Sequence, residues 1–370
     1  MTRKSVAVLP DSDRAYDILI EGGLLAAAGA VLPHALKAKR FCIVTDEHVA
    51  ALPHMLTLIK SMETAGLSVT APIVLPPGEG TKDFHHLQYI IDGALERGLD
   101  RHAALIALGG GVVGDITGFA AAVLMRGIPF VQIPTTLLAQ VDSAVGGKTA
   151  INTPRGKNLV GAFYQPRAVL IDTDVLQTLP EREMKAGYAE VLKYALINKP
   201  AFFDWLEENA RALLSGDAAA QAEAIAVSCA AKAAIVAEDE REEKDIRALL
   251  NLGHTFAHAL EKLGGFDGRL LHGEAVGIGL YWAAAFSALQ GLCDAAAAGR
   301  IEAHLDAAGM MTRPPFAVTA ADVLEAMRGD KKSRDGNMTL ILMKGIGHAF
   351  VARDADEAAV LSFLKTMTGE

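Results

Sequence analysis

Short apolar runs alternate with segments of helical period through the first half of the chain, and the alternation stops near Leu179-Pro180. The runs 16–20, 41–45, 69–75, 103–108, 130–133 and 168–171 read as strands, while 53–65 and 84–97 repeat their apolar positions at helical spacing. Strands alternating with helices predict an α/β layer on a largely parallel sheet. Beyond residue 180 the segments 182–196, 219–238, 248–263, 274–289 and 294–308 are alanine-rich and helical in period. Only 338–343 still reads as a strand. The expected organisation is an α/β domain over 1–180 and a mostly α-helical domain over 181–370.

Composition narrows the class without altering that picture. Of 370 residues, 51% are hydrophobic and 21% charged, which fits an ordered chain with a sizeable core. A net charge of −9 argues against nucleic acid or an anionic membrane as partner, so an anionic substrate needs a local cluster of cations. Three scattered cysteines, Cys42, Cys229 and Cys293, read as thiols of a reducing compartment rather than a disulfide framework. Met1 to Ser5 run into a strand-like segment with no signal-peptide core. The longest apolar stretch, 103–125, is broken by Asp115 and several glycines and makes a poor membrane span. The cytoplasm is the expected compartment.

Two features carry chemistry. Gly109, Gly111 and Gly114 meet the Gly-x-Gly-x-x-Gly spacing after a strand and at the opening of a helix. Missing Cβ atoms and helix N-terminal amides suit a pyrophosphate there, so the first domain reads as Rossmann-like and nucleotide-binding. The turn falls late in the domain, however, and lacks the acidic residue usual about 20 positions later. A tight strand-to-helix turn is the competing reading. Asp46, after the 41–45 run, is either a ribose partner or a helix N-cap.

The second feature is a set of metal-type ligands among cations. One carboxylate, Glu190, and two imidazoles, His254 and His272, can hold Zn²⁺ and leave a fourth position open for a substrate oxygen. His258 stands one helical turn after His254 and faces the same way, which also suits a hydrogen-bonded core pair. Glu190 and Lys193, three apart, also suit a surface ion pair. Lysines beside glycines in Gly146-Gly147-Lys148 and Lys157-Asn158-Leu159-Val160-Gly161 let backbone fold around a small anion. Spacing alone does not bring residues 190, 254 and 272 together.

The run from Gly109 to Lys193, with Arg247-Ala248-Leu249-Leu250-Asn251-Leu252-Gly253-His254 and Leu271-His272-Gly273-Glu274, closely resembles 3-dehydroquinate synthase, a sugar phosphate cyclase, over essentially the whole chain. The resemblance implies an NAD-binding domain, a helical metal- and substrate-binding domain with the active site in the cleft between them, and a homodimer. It implies conversion of 3-deoxy-D-arabino-heptulosonate 7-phosphate to 3-dehydroquinate and phosphate, the second step of the shikimate pathway. In that scheme NAD⁺ transiently oxidises a hydroxyl polarised by Zn²⁺ (or Co²⁺), phosphate leaves by β-elimination, the ketone is re-reduced, and an intramolecular aldol reaction closes the ring.

The same resemblance implies Glu190, His254 and His272 as metal ligands. It assigns NAD contacts to Pro77, Gly78, Glu79, Gly80, Thr81 and Lys82, and to Gly111, Val112, Val113, Gly114 and Asp115. Thr135, Thr136, Asp142, Lys148 and Lys157 join them, as do Val175, Leu176, Gln177 and Thr178. Substrate contacts fall to Lys148, Asn158, Lys193, Lys232, Arg247, Asn251, His258 and one of Lys331 or Lys332. Arg126 matches an arginine that reaches the partner subunit's site. The chain departs from the family in two places: 240–247 is one residue longer than usual, which leaves Glu242 and Lys244 without a settled role, and Ala257 stands where glycine is common.

Two rival enzymes share this outline. A glycerol dehydrogenase-type polyol dehydrogenase has no use for Lys148, Lys193, Lys232 and Arg247, since its substrate is neutral. Another sugar phosphate cyclase, without a substrate carboxylate, has less use for Lys232, Arg247 and Asn251 together. A non-catalytic nucleotide-binding regulator would be expected to have lost a ligand or a lysine, and none is missing.

Overall fold

The apolar runs 41–45, 103–108, 130–133 and 168–171 are buried on both faces, as a parallel sheet covered by helices requires. In the computed structural model, which describes residues 3–265, 267–330 and 338–370, the chain divides into two compact units. One is Met1–Leu179 with Ala218–Ala237, the other Pro180–Asp217 with Glu238–Glu370.

The first unit holds β1 (Lys4–Val8), β2 (Tyr16–Glu21), β3 (Arg40–Asp46), β4 (Ser68–Val69), β5 (Ile73–Leu75), β6 (Ala104–Gly109) and β7 (Phe130–Pro134). A hairpin of β8 (Lys148–Thr153) and β9 (Gly156–Phe163) follows, then β10 (Ala168–Asp172). All but the hairpin form an eight-stranded sheet in the order β1-β2-β10-β7-β6-β3-β4, with β5 also beside β3. Only the β1–β2 pair is antiparallel. Period-two alternation splits β3 between two cores. Phe41 and Ile43 pack with α1 (Leu24–Ala35) and α3 (Pro53–Thr64) through Leu32, Leu58 and Met62. Cys42 and Val44 face Ile90 of α4 (Phe84–Glu96) and Ile116 of α5 (Gly111–Val123).

The chain leaves β3 toward β5 on one side and then crosses to β6 on the other. The carboxyl ends of β3 and β6 therefore flank a topological switch point, where open α/β sheets bind ligands. Asp46 ends β3, and Gly109 ends β6.

Three differences from the sequence reading have physical causes. The run 69–75 splits into β4 and β5 around Pro72, which has no N–H for a ladder. The segment 248–263 is a 3₁₀ turn, Arg247–Asn251, then α9 (His254–Leu263), parted by Gly253 at φ 77°. The helix expected at 219–238, here α8 (Ala218–Glu238), packs over Ala218–Ala237 with the first unit rather than with the helical one. Buried polar anchors hold it there: Lys232 Nζ donates to the Asp142 carbonyl at 2.6 Å, and Cys229 Sγ to the Gln140 carbonyl at 3.3 Å. By length and composition α8 could cross a membrane, yet 67% of that window is buried within the protein.

The second unit comprises α6 (Glu181–Asn198), α7 (Pro200–Leu214), α9, α10 (His272–Leu289), α11 (Ala295–Ala307) and α12 (Ala320–Asp330). The hairpin β11 (Met338–Met343)–β12 (Ala349–Ala355) and α13 (Glu357–Thr368) complete it. Helix α10 runs through its centre, with Trp282 fully buried against Phe256 and Phe363. Two glycines let it approach other backbones closely. A Cβ on Gly273 would lie 1.9 Å from the Ala186 carbonyl of α6, and one on Gly279 2.1 Å from the Gly253 carbonyl. Those contacts draw the start of α10, the start of α9 and the middle of α6 to one point.

Candidate active site

At that point stand Glu190 of α6, His254 opening α9 and His272 opening α10, with one ligand atom from each all within 4.8 Å of one another. Glu190 Oε1 faces Nε2 of His254 at 3.5 Å and Nε2 of His272 at 3.4 Å. Glu190 is fully buried, and neither of its oxygens has a partner in hydrogen-bond geometry. Lys193 Nζ lies 2.5 Å from Oε2 as an ion pair rather than an aligned hydrogen bond.

The far sides of both imidazoles are committed. His254 Nδ1 donates to the Leu252 carbonyl at 3.0 Å, and His272 Nδ1 to Glu261 Oε2 at 3.0 Å. Each bond leaves Nε2 as the nitrogen that faces Glu190, the one a metal ion would take once that nitrogen carries no proton. The donor set, one carboxylate oxygen and two imidazole nitrogens, fits a Zn²⁺-type ion with an open position. Glu261 escaped the sequence reading. Its signal was its place three residues after His258 and seven after His254, on the same helical face.

The charges are arranged for an ion. Burial opposes ionisation of Glu190, but Lys193, His254 and His272 outweigh it and hold the carboxyl well below its usual range. Burial, then the Lys193 ammonium, keep His254 neutral. For His272 burial also opposes the charge, yet Glu261 and Glu190 prevail and push the metal-free imidazole up to about 10. A metal ion must displace that proton, so acid weakens binding and the loss levels off only above pH 10. Zinc titration of the metal-free protein is expected to release about one proton per ion and to weaken roughly tenfold per pH unit from 8 to 6. A flat affinity over that range would remove His272 from the ligand set.

In the first unit, Lys82 is nearly buried and its Nζ reaches Asp115 Oδ2 and Asn158 Oδ1, both at 2.5 Å. Burial pushes the Asp115 carboxyl up, while the Lys82 ammonium pulls the other way. Asn158, at φ 57°, donates its N–H to Asn152 Oδ1 at 3.0 Å, and Asn152 Nδ2 donates to Glu79 Oε1 at 2.7 Å. The loop 77–82, helix α5 and the β8–β9 hairpin are thereby one network, with Asn152 a member that the sequence did not single out. Lys232 pairs with the Asp142 carboxylate at 2.9 Å. Lys148 is exposed at the start of β8, and Lys157 is half-buried on β9.

The glycine turn lies at the switch point. Gly110 caps α5, and a Cβ on Gly111 would come within 3.0 Å of Ser143 Oγ, whereas nothing lies within 4 Å of one on Gly78 or Gly80. Backbone amides at a helix N-terminus of this kind attract an anion. Gly114 and Val113 are buried behind the turn, Val112 is half-buried, and Thr135 and Thr136 follow β7. Asp46 is the N-cap of α2 (Glu47–Ala50), its Oδ1 accepting Val49 N at 2.9 Å, so the capping alternative is realised. Val175 and Leu176 are 2% exposed, and Val175 belongs to the core, which leaves Gln177 and Thr178 at the surface.

In the second unit Arg247 is 2% exposed and Asn251 half-buried, both on the 3₁₀ turn before α9. His258 stacks on His272 with ring centroids 6.2 Å apart. Arg126 is exposed at φ 66° in the turn after α5. Lys331 and Lys332 lie outside the described residues.

Known proteins share both halves of this arrangement. The family profile described as "3-dehydroquinate synthase N-terminal" matches residues 72–186, and "3-dehydroquinate synthase C-terminal" matches 187–333. The 3-dehydroquinate synthase of Rhodospirillum rubrum is 52% identical over 368 residues, covering 98% of this chain and 95% of that one. Among solved structures, 2-deoxy-scyllo-inosose synthase complexed with carbaglucose-6-phosphate, NAD⁺ and Co²⁺ superimposes with a TM-score of 0.86 at 25% identity, covering 99% of this chain and 100% of that one. The 2-epi-5-epi-valiolone synthase of Streptomyces hygroscopicus subsp. jinggangensis, with NAD⁺ and Zn²⁺ bound, gives 0.87 at 29% identity, covering 96% and 97%.

Proposed function

The chain belongs to the 3-dehydroquinate synthase family, and from that membership we propose how its residues divide the family's reaction among them. The reaction converts 3-deoxy-D-arabino-heptulosonate 7-phosphate into 3-dehydroquinate and phosphate without net redox change. When bound, NAD⁺ supplies reversible two-electron oxidation of a substrate hydroxyl, and the divalent ion, Zn²⁺ or Co²⁺, supplies Lewis acidity at that oxygen.

Glu190, His254 and His272 hold the ion, and Lys193 balances the charge of the buried carboxylate. The amides opening α5, the 77–82 loop, Asp115, Thr136, Asp142 and Lys157 hold the dinucleotide. Lys148, Asn158, Lys193, Lys232, Arg247, Asn251 and His258 orient the anionic sugar phosphate, whose carboxylate and phosphate call for this many cations in an acidic chain. The convergence of Glu190, His254 and His272, each histidine braced from behind, is the observation that carries the reading.

The reading extends to a cytoplasmic homodimer. Its supports are three free thiols, exposed apolar side chains at Val123, Met125, Leu159 and Phe163, and the surface position of Arg126. Sedimentation of a monomer at assay concentrations would overturn the pairing.

Phosphate release from the heptulosonate phosphate tests the function. Trace NAD⁺ with zinc is expected to support many turnovers with no NADH accumulating, and omission of either is expected to stop release. NADH build-up in step with product, on a neutral polyol, would point to a dehydrogenase instead.

A further inference from the structure

A single buried carboxylate organises the chain between α8 and the Arg247–Asn251 turn. Asp239 is 3% exposed, and its side chain accepts backbone N–H groups from the residues that follow. Glu243 N donates to Oδ1 at 2.8 Å, while Lys244 N and Arg247 N donate to Oδ2 at 3.1 Å each. Its carbonyl accepts Glu242 N at 3.3 Å. Burial works against charge on Asp239, yet the N–H groups of Arg247, Glu243 and Lys244 hold its carboxyl below the ordinary range. The ionised form therefore braces the loop at neutral pH.

The loop needs bracing. Glu242 and Asp245 sit at φ 59° and 63°, a region that non-glycine residues keep only when contacts hold them there. Both ends of the strained stretch bear on residues assigned to the substrate. Arg247 Nη1 donates to the Glu240 carbonyl, and Glu242 Oε1 accepts from Asn251 Nδ2 at 3.4 Å. Asp245 is tied in turn to Arg353 of β12.

We propose that Asp239 is a positioning residue. It closes the 240–247 loop so that the Arg247 guanidinium, and through Glu242 the Asn251 amide, are presented to the substrate's charged and hydroxyl groups. The inference rests on the assignment of Arg247 and Asn251 to the substrate. Asp239 itself touches neither substrate nor cofactor and acts through Arg247.

The test is a double-mutant cycle on the zinc-loaded enzyme with D239A, R247A and D239A/R247A, reading kcat, KM and thermal melting. A misplacement of about 1 Å costs on the order of a hundredfold in rate. D239A is expected to lose roughly that factor in kcat/KM, and D239A/R247A to lose clearly less than the product of the two single losses, because Asp239 acts largely through Arg247. D239N keeps one acceptor oxygen and should fall between wild type and D239A; it decides the question if D239A does not fold. Losses that multiply in the double variant, or wild-type kcat/KM in D239N and in folded D239A, overturn the inference. An impaired R247A beside an unimpaired D239N overturns the role of Asp239 alone, whereas R247A at wild-type efficiency overturns the substrate assignment and the inference with it.

Discussion

Replacing His272 with alanine is expected to abolish turnover and to lower metal occupancy. Its Nε2 is one of only two imidazole nitrogens facing Glu190 in the Glu190–His254–His272 group. Two ligands cannot hold a divalent ion against dialysis as three do. Disturbing a residue merely behind a metal ligand costs about 10–100-fold in affinity or activity, so loss of the ligand itself should exceed that. The change also leaves Glu261, only 5% exposed, without the ring that its carboxylate orients. Metal content after dialysis, read beside kcat, checks the prediction. Full zinc and full activity in the alanine variant would remove His272 from the site.

The central strands were legible because β3, β6, β7 and β10 are short apolar runs, and burial on both faces leaves such runs little alternative. The glycine turn was legible for the same local reason: Gly109 ends a strand and Gly111 opens a helix. Asp46 stayed ambiguous because an N-cap and a ribose partner ask for the same residue type at the same place, and only the Val49 N–H separates them.

The metal group was legible residue by residue but not as a group. What assembles it is backbone proximity at Gly273 and Gly279, which no periodicity reveals, and the resemblance to a family stood in for that knowledge. Partners that work through other residues, such as Glu261, Asn152 and Asp239, carry no spacing signal strong enough to be read in advance. Their roles come from hydrogen bonds between segments distant along the chain or folded back on themselves. Helix α8 misled because its alanine-rich pattern says helix without saying which unit it joins. Lys232 and Cys229 decide that through bonds to carbonyls about ninety residues away.

Glu190→Gln is expected to destabilise the metal-free protein as well as to abolish turnover. Glu190 is 0% and Lys193 1% exposed, so both charges have left water and depend strongly on each other. Removing one partner of a buried pair typically costs about 3–5 kcal/mol, because the remaining charge stays desolvated. A surface pair such as Lys185–Glu181 is worth only about 0–1 kcal/mol, which supplies an internal control in Glu181→Gln. Lys193 keeps a contact over the Tyr194 ring at 5.2 Å, but a ring face does not replace a carboxylate 2.5 Å away. If the cost comes from an ammonium that has lost its carboxylate, adding Lys193→Met should restore most of the stability. Activity should stay lost in that double variant, because the carboxylate ligand is still missing. Denaturant unfolding of the metal-free variants, read beside kcat with zinc, separates the two effects. Wild-type stability in Glu190→Gln alone would mean that the pair is hydrated in solution, and a double variant as unstable as the single one would place the cost in packing rather than charge.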